Sequence, residues 1–302
     1  MRYLIVKSLR CIVAKYEIFY DHDLKDFNTF KIGGKAKYIV IVYNNETLYR
    51  VCNDCVTHNI KYKVIGLGAN LLFDDNGYNG AIIINKCDEI HVYNNYIVAD
   101  SGATIASLID IAYKDSLSGL EKFAGIPSTL GGAIANNLGS NGEISEYIQS
   151  VECFAYNNPK EKIIMNNSEC HFAYRDSIFK SQEYVIVSAR LRLTPDIPQS
   201  IKERTIEYLH KKLSTQPLDK RSAGSVFKRS DLIPSKIIDD LKLKGYSIGG
   251  AQVSTKHAGF IINAGNASSH DVLALIDYIN SIVYTHYGKK FLTEIEYVGD
   301  KN

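Results

Sequence analysis

The stretches VIGLGANLL (64–72) and GIPSTLGGA (125–133) are the most informative parts of the sequence. The first contains a Gly-x-Gly that directly follows a strand-like apolar run, but position 71 is leucine where a Rossmann dinucleotide fingerprint has its third glycine. The second lacks the Gly-Lys-Ser/Thr ending of an ATPase P-loop. Either loop alone is most simply an ordinary turn, because glycine is the common turn residue. Their glycines nevertheless allow backbone N–H groups to converge on an anion.

The overall composition limits the class of protein. The chain has 302 residues, which is long for one hydrophobic core and typical of two domains. Apolar residues make up 45% and charged residues 23%, a balance that excludes a mostly disordered chain. The net charge of +2 provides no general basis for nucleic-acid binding, so we expect no nucleic-acid partner.

Targeting segments are not evident in the sequence. No stretch reaches the ~20 apolar residues of a membrane-spanning helix. Lys7, Arg10 and Lys15 interrupt the N-terminal apolar runs, which are too short for the apolar region of a secretory signal peptide, so we expect none. We interpret this N-terminal segment as a short strand or helix that packs on the body of the protein. We therefore expect a cytoplasmic protein with no membrane association.

The cysteines support the same interpretation. Six cysteines in a chain without a signal peptide indicate reduced thiols in a cytosol. Cys52 and Cys55 form a C-x-x-C that is either redox-active or an ordinary part of the amphipathic pattern ETLYRVCNDCVTHN (46–59). A zinc site normally needs four ligands, and no second cysteine pair exists. We favour an ordinary helix and expect no metal.

Hydrophobic patterning predicts alternating strands and helices. β-branched and aromatic runs predict strands at 37–44, 62–67, 80–85, 89–100 and 184–194. Helical spacing predicts helices at 45–59, 103–116 and 199–214, and a last helix that begins at an N-cap in Ser269-His270-Asp271 and ends near Gly288. This alternation indicates an α/β first half and a smaller α+β unit in the C-terminal third.

Two prolines, Pro195 and Pro198, interrupt both strand and helix patterns and mark the preferred domain boundary. The predicted organisation is an N-terminal extension at 1–25, a first domain at 26–196 and a second domain at 197–302.

Seven sequence blocks, in this order, carry a resemblance to a known family. They are NTFKIGG (28–34), GLGANLLFDDNGYNG (66–80), GLEKFAGIPSTLGGAIANNLGSNG (119–142), FAYRDSIFK (172–180), SAGSVFKR (222–229), GGAQVSTKHAGFIINAG (249–265) and FLTEIEYVG (291–299). From about residue 26 to residue 299, the sequence resembles the UDP-N-acetylenolpyruvoylglucosamine reductases (MurB). Its length is similar to that of the shorter class, which lacks an inserted substrate-capping segment.

The resemblance implies a fold and a cofactor. The fold is a vanillyl-alcohol-oxidase-type FAD-binding region of two α/β subdomains, followed by an α+β substrate-binding domain. The cofactor is FAD, and no histidine or cysteine lies within either glycine loop to attach it covalently. The first loop would cradle the pyrophosphate, and the second would pack near the isoalloxazine and adenosine. The implied FAD-binding residues are Gly66, Leu67, Gly68, Ala69, Asn70, Gly125, Ile126, Pro127, Ser128, Gly131 and Gly132. Asn28 and Thr29 would begin the strand region beneath the flavin.

The resemblance also implies a reaction of peptidoglycan precursor synthesis. NADPH reduces the bound FAD, and UDP-N-acetylglucosamine enolpyruvate then accepts a hydride on its β-carbon and a proton on its α-carbon, which yields UDP-N-acetylmuramate. One alternative is a flavin oxidase or dehydrogenase of the same fold that acts on an alcohol or sugar. Another is a non-catalytic flavin- or nucleotide-binding module. We expect a monomer or a weak oligomer.

Three residues match the catalytic motifs of the family. Arg175 would present its planar guanidinium to the substrate carboxylate. Ser225 would donate a proton to the α-carbon as general acid, which requires tight orientation and a relay through solvent or a cation such as Lys228. Glu294 would lie at the same substrate group, where we expect it to be protonated or held by a cation, because burial beside an anion raises a carboxyl pKa.

Other substrate contacts are implied less directly. Lys228 and Arg229 are candidate substrate-binding residues, although Arg229 stands where the family commonly has asparagine. Lys256, His257 and Gln252 are candidate neighbours of substrate or cofactor.

Overall fold

The computed structural model describes residues 16–181 and 183–299, which form two units, each assembled from separate chain segments. The first unit contains residues 16–20, Tyr38–Gly66 and Gly80–Leu209, and the second contains Asp21–Lys37, Leu67–Asn79 and residues 210–299. The chain thus passes between the units more than once. The division into 1–25, 26–196 and 197–302 stays a prediction, and the N-terminal segment 1–15 lies outside the described residues.

Strands and helices are numbered here in chain order. The strands are β1 (Tyr16–Asp23), β2 (Lys35–Val42), β3 (Tyr62–Ile65), β4 (Leu71–Phe73), β5 (Tyr78–Asn85), β6 (Ile90–Tyr93), β7 (Tyr96–Asp100), β8 (Leu117–Ser118), β9 (Ile148–Ala155), β10 (Asn158–Asn166), β11 (Tyr184–Arg192), β12 (Thr194–Pro195), β13 (Ser222–Ser225), β14 (Ser247–Ile248), β15 (Ala251–Val253), β16 (Phe260–Asn263) and β17 (Glu296–Val298). The α-helices are α1 (Asn45–Thr57), α2 (Ile105–Lys114), α3 (Leu130–Ala135), α4 (Pro198–Thr215), α5 (Pro234–Asp240) and α6 (Ser269–Tyr287).

Two sheets form the framework of the first unit. One has the order β1-β2-β5-β3, with β3 parallel to β5, and the other has the order β10-β9-β11-β7-β6 with antiparallel pairing. Helices α2 and α3 bury their apolar residues in one core with the second of these sheets. Burial of such aliphatic side chains is the main source of stability of this unit. The predicted helices of this half and its predicted strands at 37–44, 62–67, 80–85 and 184–194 are confirmed, with boundaries that differ by a few residues.

The predicted single strand at 89–100 is wrong, because the chain turns back in its middle. Asn94 has a φ of 50°, and Tyr93 pairs with Tyr96, so that β6 and β7 form an antiparallel hairpin. Asparagine tolerates this left-handed conformation, and a two-residue turn that begins with it connects adjacent strands.

The second unit combines short strands with two helices. Its four-stranded sheet has the order β13-β16-β15-β14, and β4 pairs with β17 in parallel. Helices α5 and α6 pack in the same apolar core as β15 and β16. The predicted last helix is confirmed, but its N-cap is Ser268, one residue earlier than expected. Gly288 ends the helix with a φ of 65°, as is usual for a C-terminal glycine.

Asn28 and Thr29 do not begin a strand, contrary to expectation. Asn28 is buried and follows a short 3-10 helix, and its side-chain amide donates hydrogen bonds to the carbonyl oxygens of Leu24 (2.8 Å) and Ile32 (2.9 Å). The Thr29 hydroxyl donates to the Ser222 carbonyl at 2.7 Å. An amide side chain that bonds to nearby backbone groups stabilises a turn in place of a strand.

Within the described part of the chain, every helix is too short or too polar to cross a bilayer. Among residues 16–181 and 183–299, no cluster of three or more histidine, cysteine or acidic side chains could hold a metal ion.

A buried ion pair attaches the start of α4 to the segment before residue 125. Glu121 is 4% exposed and accepts hydrogen bonds from the Arg204 guanidinium (2.7 Å), the Ser118 hydroxyl (2.9 Å) and the Gly119 N–H (2.6 Å). Arg204 also contacts Asp196 at 2.6 Å. Burial by itself raises the pKa of Glu121, but hydrogen bonds from its own backbone, Arg204, Gly119 and Ser118 outweigh burial and lower the pKa below 4.5.

We expect Glu121→Gln to lower the free energy of unfolding by about 1–3 kcal/mol at pH 7, because Arg204 loses its charged partner. A carboxyl pKa that is lowered by folding stabilises the protein above the unfolded-state value of about 4.3, and this contribution is lost as the pH falls through the folded-state value. The difference in free energy of unfolding between Glu121→Gln and the wild type should therefore become smaller at acidic pH. Urea unfolding at neutral and acidic pH measures it.

The control for this experiment is Glu89→Gln, because the Glu89 side chain is 76% exposed. Equal stability of Glu121→Gln and wild type at pH 7 would show that the ion pair does not stabilise the fold.

The C-x-x-C pair lies on α1, as the amphipathic pattern predicted. Cys52 and Cys55 are free, buried thiols on the apolar face of this helix. Burial raises the pKa of Cys55 to about 12 and that of Cys52 well above 9. Because the thiolate is the reactive form of cysteine, we expect both thiols to react slowly in the folded protein.

Iodoacetamide at pH 8 should leave Cys52 and Cys55 unmodified in the native protein and alkylate both in guanidinium chloride. Peptide mass spectrometry after each treatment measures the modification at each cysteine. Rapid native labelling, or a disulfide between these two residues, would contradict this expectation and favour the redox alternative.

Candidate functional site

Residues 66–70, here called loop A, follow β3 and approach other backbone segments closely. Gly66 lies in the first unit, and a Cβ atom on it would be 2.2 Å from the Thr129 hydroxyl. Gly68 lies in the second unit with a φ of 63°, and a Cβ atom there would be 2.8 Å from the Phe27 carbonyl oxygen. Both positions therefore require glycine, one because of its contact and the other also because of its conformation.

Loop A presents backbone donors that the protein does not use itself. In the described part of the chain, the N–H groups of Leu67, Gly68, Ala69 and Asn70 donate no hydrogen bond. Gly68 contributes its carbonyl to the Leu71 N–H at 3.4 Å, which closes the turn. Consecutive unpaired N–H groups on a turn form an anion-binding cradle. The geometry of loop A thus fits the pyrophosphate of a dinucleotide.

Residues 125–132, here called loop B, use their glycines differently. The Gly131 N–H donates to the Ser101 carbonyl at 2.8 Å, and the Gly132 N–H donates to the Thr129 hydroxyl at 3.3 Å. These two N–H groups are therefore engaged within the first unit. A Cβ atom on Gly131 would be 3.0 Å from the Ser101 Cβ, so this glycine permits close packing.

The outer part of loop B remains accessible. Gly125 is exposed with a φ of 77°, and Pro127 is also exposed. The Gly125 and Ser128 N–H groups donate no hydrogen bond to any described residue. Thr129 is the N-cap of α3 and positions the loop at the start of that helix. Loop B can therefore offer donors at 125 and 128, whereas residues 131 and 132 contribute space.

Arg175 lies in a tight hairpin turn of the first unit. Ala173 and Asp176 exchange backbone hydrogen bonds of 3.0 and 3.1 Å, and Arg175 between them has a φ of 54°. Its guanidinium donates to the Gly139 carbonyl at 2.9 Å and lies over the Tyr174 ring at 5.2 Å. The side chain is half-buried and its direction is set by these contacts.

Ser225 and Glu294 come together in the second unit. The Glu294 N–H donates to the Val226 carbonyl at 2.7 Å, and Lys228 N–H donates to the Leu292 carbonyl at 2.9 Å. Val226 N–H donates to the Gly259 carbonyl at 2.9 Å, so β13 is paired on both sides of Ser225. The Ser225 hydroxyl makes no hydrogen bond to a described residue. The structure thus brings together two of the three predicted catalytic residues within one unit.

Loop A connects to this segment through Asn70. Its side-chain amide donates to the Glu294 carbonyl at 3.1 Å, and its own carbonyl accepts from the Glu296 N–H at 2.9 Å. A residue predicted to bind FAD therefore also fixes the backbone of a residue predicted to act on substrate.

The remaining polar candidates of the second unit differ in their availability. Lys228 is half-buried and Arg229 is exposed. Lys256 donates its ammonium to the Leu213 carbonyl at 2.5 Å, and the Gln252 amide donates to the Ser247 hydroxyl at 3.0 Å. The Lys256 ammonium and the Gln252 amide therefore make hydrogen bonds within the second unit.

His257 accepts a backbone hydrogen bond within the second unit. Its Nδ1 accepts a hydrogen bond from the Gly259 N–H at 3.1 Å. Burial lowers the pKa of His257, and the positive charges of Lys244 and Arg229 lower it further against a backbone hydrogen bond that raises it. A neutral imidazole with Nδ1 as acceptor carries its proton on Nε2.

Sequence reasoning missed the residues that hold Arg175. Asn137 is fully buried, and its amide donates to the Ala173 carbonyl at 2.9 Å and to Glu143 at 2.8 Å. Lys180 donates to the Arg175 carbonyl at 3.0 Å. Both residues lie within the quoted blocks at 119–142 and 172–180, but nothing in the pattern shows that these blocks are in contact.

We expect Gly66→Ala to reduce the amount of bound flavin, because its Cβ atom would collide with Thr129 and displace loop A or loop B. The ratio of absorbance at the flavin band to that at 280 nm in purified protein measures flavin content. Gly265→Ala is the matched control, since a Cβ atom there meets no atom within 4 Å. If both variants bind as much flavin as the wild type, the close approach of Gly66 to Thr129 is not required for cofactor binding.

Comparisons with known proteins give a consistent result. Residues 36–157 match the family model for the FAD binding domain, and residues 216–298 match that for the C-terminal domain of UDP-N-acetylenolpyruvoylglucosamine reductase. The enzyme of that name from Caldanaerobacter subterraneus subsp. tengcongensis is 36% identical over 304 residues, with all of both chains covered. That from Thermotoga maritima is 38% identical over 272 residues, which cover 89% of this chain and 94% of the relative.

A solved structure agrees with the sequence comparisons. The crystal structure of UDP-N-acetylenolpyruvylglucosamine reductase (MurB) from Thermus caldophilus is similar with a TM-score of 0.79 and 28% identity, and covers 94% of this chain and 99% of that one. The predicted fold class is confirmed by this likeness and by the two domain matches. Given identity of more than a third along the full length, the chain belongs to the UDP-N-acetylenolpyruvoylglucosamine reductase (MurB) family.

Proposed function

We propose that the protein reduces UDP-N-acetylglucosamine enolpyruvate to UDP-N-acetylmuramate with NADPH, through bound FAD, in peptidoglycan precursor synthesis. The observation that carries the proposal is the paired segment of the second unit, in which the Glu294 N–H donates to the carbonyl of Val226, the residue that follows Ser225. The family relationship supports the same reaction, because relatives matched over their full length are named for it. The reaction makes the protein an oxidoreductase and a flavoprotein.

The chain has suitable donors for FAD. The N–H groups of Leu67, Gly68, Ala69 and Asn70, which donate to no described residue, would hold the pyrophosphate. Those of Gly125 and Ser128 would contact the remainder of the cofactor. When bound, FAD supplies hydride transfer between NADPH and the substrate. Ile126, Pro127, Gly131 and Gly132 would shape the adjacent surface without donating further hydrogen bonds.

Arg175 would bind the carboxylate of the enolpyruvyl group. Addition of hydride to the β-carbon moves negative charge through the α-carbon onto this carboxylate. A guanidinium is always charged and can form two parallel hydrogen bonds to a carboxylate. Because the donors are already oriented, they stabilise the developing charge without solvent reorganisation.

Ser225 would donate the proton to the α-carbon. Its hydroxyl has no acceptor among the described residues, while its backbone is fixed by pairing with β16 and by the neighbouring Val226 hydrogen bonds. A free hydroxyl on a fixed backbone can be aimed at a substrate atom. Lys228, three residues further on, is the nearest cation in sequence that could assist the transfer.

Glu294 would lie at the same substrate group as Ser225. A cation beside it in the reactive complex would offset its repulsion of the charge that develops on the substrate. Lys228 and Arg229 would contact the charged part of the nucleotide, for which their positive side chains are suited. The protein would act in the cytoplasm, where its nucleotide substrates are available. We expect it to be a monomer or a weak oligomer.

The proposal is tested by separating the two half-reactions of Ser225→Ala. Anaerobic NADPH should bleach the flavin of the variant at the wild-type rate. Reoxidation of the reduced flavin by UDP-N-acetylglucosamine enolpyruvate should slow by about 10²- to 10⁴-fold, the usual contribution of a general acid. Stopped-flow absorbance at the flavin band measures both rates.

Ser222→Ala is the matched control, because Ser222 lies at the other end of the same strand. Unchanged reoxidation in Ser225→Ala would refute the role of Ser225. A wild-type protein that contains no FAD, or whose NADPH oxidation does not depend on the enolpyruvyl nucleotide, would refute the function itself. Oxidation that depends on an alcohol or sugar would favour the flavin oxidase alternative.

A further inference from the structure

The backbone of Arg175 is in an unfavourable conformation. Its φ of 54° is in the left-handed region, which non-glycine residues other than asparagine, aspartate and histidine seldom occupy. Such conformations persist where the surrounding structure holds them, and they concentrate at functional sites. The contacts around the 173–176 turn therefore show what holds this residue.

Several contacts tie the turn to the last residue of α3 and to the segment that follows it. Lys180 donates its ammonium to the Arg175 carbonyl at 3.0 Å and to the Asn136 side-chain oxygen at 2.8 Å. The Ser177 hydroxyl donates to the Ala135 carbonyl at 2.8 Å, and the Asn137 amide donates to the Ala173 carbonyl at 2.9 Å. All of these residues lie in the first unit.

Lys180 differs from the other contacts because it acts on Arg175 directly. Asn137 and Ser177 hold the flanks of the turn, whereas Lys180 bonds to the carbonyl of the strained residue itself. Its second bond, to Asn136, fixes the ammonium relative to the chain that leaves α3. A charged donor forms a stronger hydrogen bond than a neutral one, so this link is well suited to hold an unfavourable backbone.

We propose that Lys180 is a positioning residue for Arg175. It keeps the Arg175 backbone left-handed, and thereby keeps the guanidinium at the Gly139 carbonyl and in the direction required for the substrate carboxylate. This inference rests on the proposed role of Arg175 in substrate binding. It predicts that Lys180 affects the oxidation of flavin by substrate and not the reduction of flavin by NADPH.

The test uses Lys180→Met, which keeps the apolar stem and removes the ammonium. Reoxidation of reduced flavin by the enolpyruvyl nucleotide should slow by about ten- to a hundredfold, the cost of a misplaced binding group. Flavin content and the rate of reduction by NADPH should stay at wild-type values, which loss of the fold would not allow. Lys180→Arg should restore part of the rate, because it can donate to the same two oxygens.

Lys114→Met is the matched control, since Lys114 is an exposed lysine of the same unit that pairs with Asp110. It should leave both half-reactions unchanged. Wild-type reoxidation in Lys180→Met would overturn the inference. Should Lys180→Met yield no folded protein, Asn136→Ala removes the second partner of the ammonium, and wild-type reoxidation in that variant would overturn the inference equally.

A double-mutant cycle separates this inference from the proposed function. In an Arg175→Ala background, Lys180→Met should slow reoxidation no further, because its effect passes through Arg175. An additional slowing as large as in the wild-type background would show that Lys180 acts independently, and would overturn the inference alone. If Arg175→Ala does not slow reoxidation, the proposed role of Arg175 is wrong and the inference fails with it.

Discussion

The close approach of Thr129 to Gly66 constrains how the end of β3 meets the start of α3 in the first unit. Thr129 lies so close to Gly66 that no side chain can occupy that position. The same threonine caps α3, and the chain that leaves α3 holds the Arg175 turn through Asn136, Asn137 and Gly139. Within the first unit, the short helix α3 therefore lies between the Gly66 contact and the turn that holds Arg175.

In the second unit, backbone pairing positions two candidate catalytic residues. Hydrogen bonds between the 226–228 and 292–294 segments keep Ser225 near Glu294, although these residues are almost seventy positions apart. Asn70 adds a side-chain hydrogen bond to the Glu294 carbonyl, so loop A and the C-terminal segment support each other. Backbone pairing is well suited to this task because it fixes the position of Ser225 without using its hydroxyl, which makes no hydrogen bond to a described residue.

Local patterns predicted most of the regular structure. Helices α1, α2, α4 and α6 follow the apolar spacing, and the caps of α6 are visible as a serine before the helix and a glycine after it. The hydrophobic pattern gave a wrong prediction where a tight turn interrupts an apolar run. A continuous β-branched and aromatic run at 89–100 concealed a hairpin, because the turn at Asn94 depends on a backbone conformation that periodicity does not report.

The sequence by itself determined the family, the two glycine loops and the three candidate catalytic residues, because motif order and residue chemistry are properties of the chain alone. Only the tertiary structure decided which glycine N–H groups are free and which are already bonded. Gly68 and Gly131 are the same residue type in two similar loops. The Gly131 N–H nevertheless donates to the Ser101 carbonyl, whereas the Gly68 N–H donates to no described residue. It also decided that the Lys180 ammonium bonds to both the Arg175 carbonyl and the Asn136 side-chain oxygen. The bond to Asn136 joins residues 44 positions apart, so it depends on how the chain packs and leaves no periodic trace in the sequence.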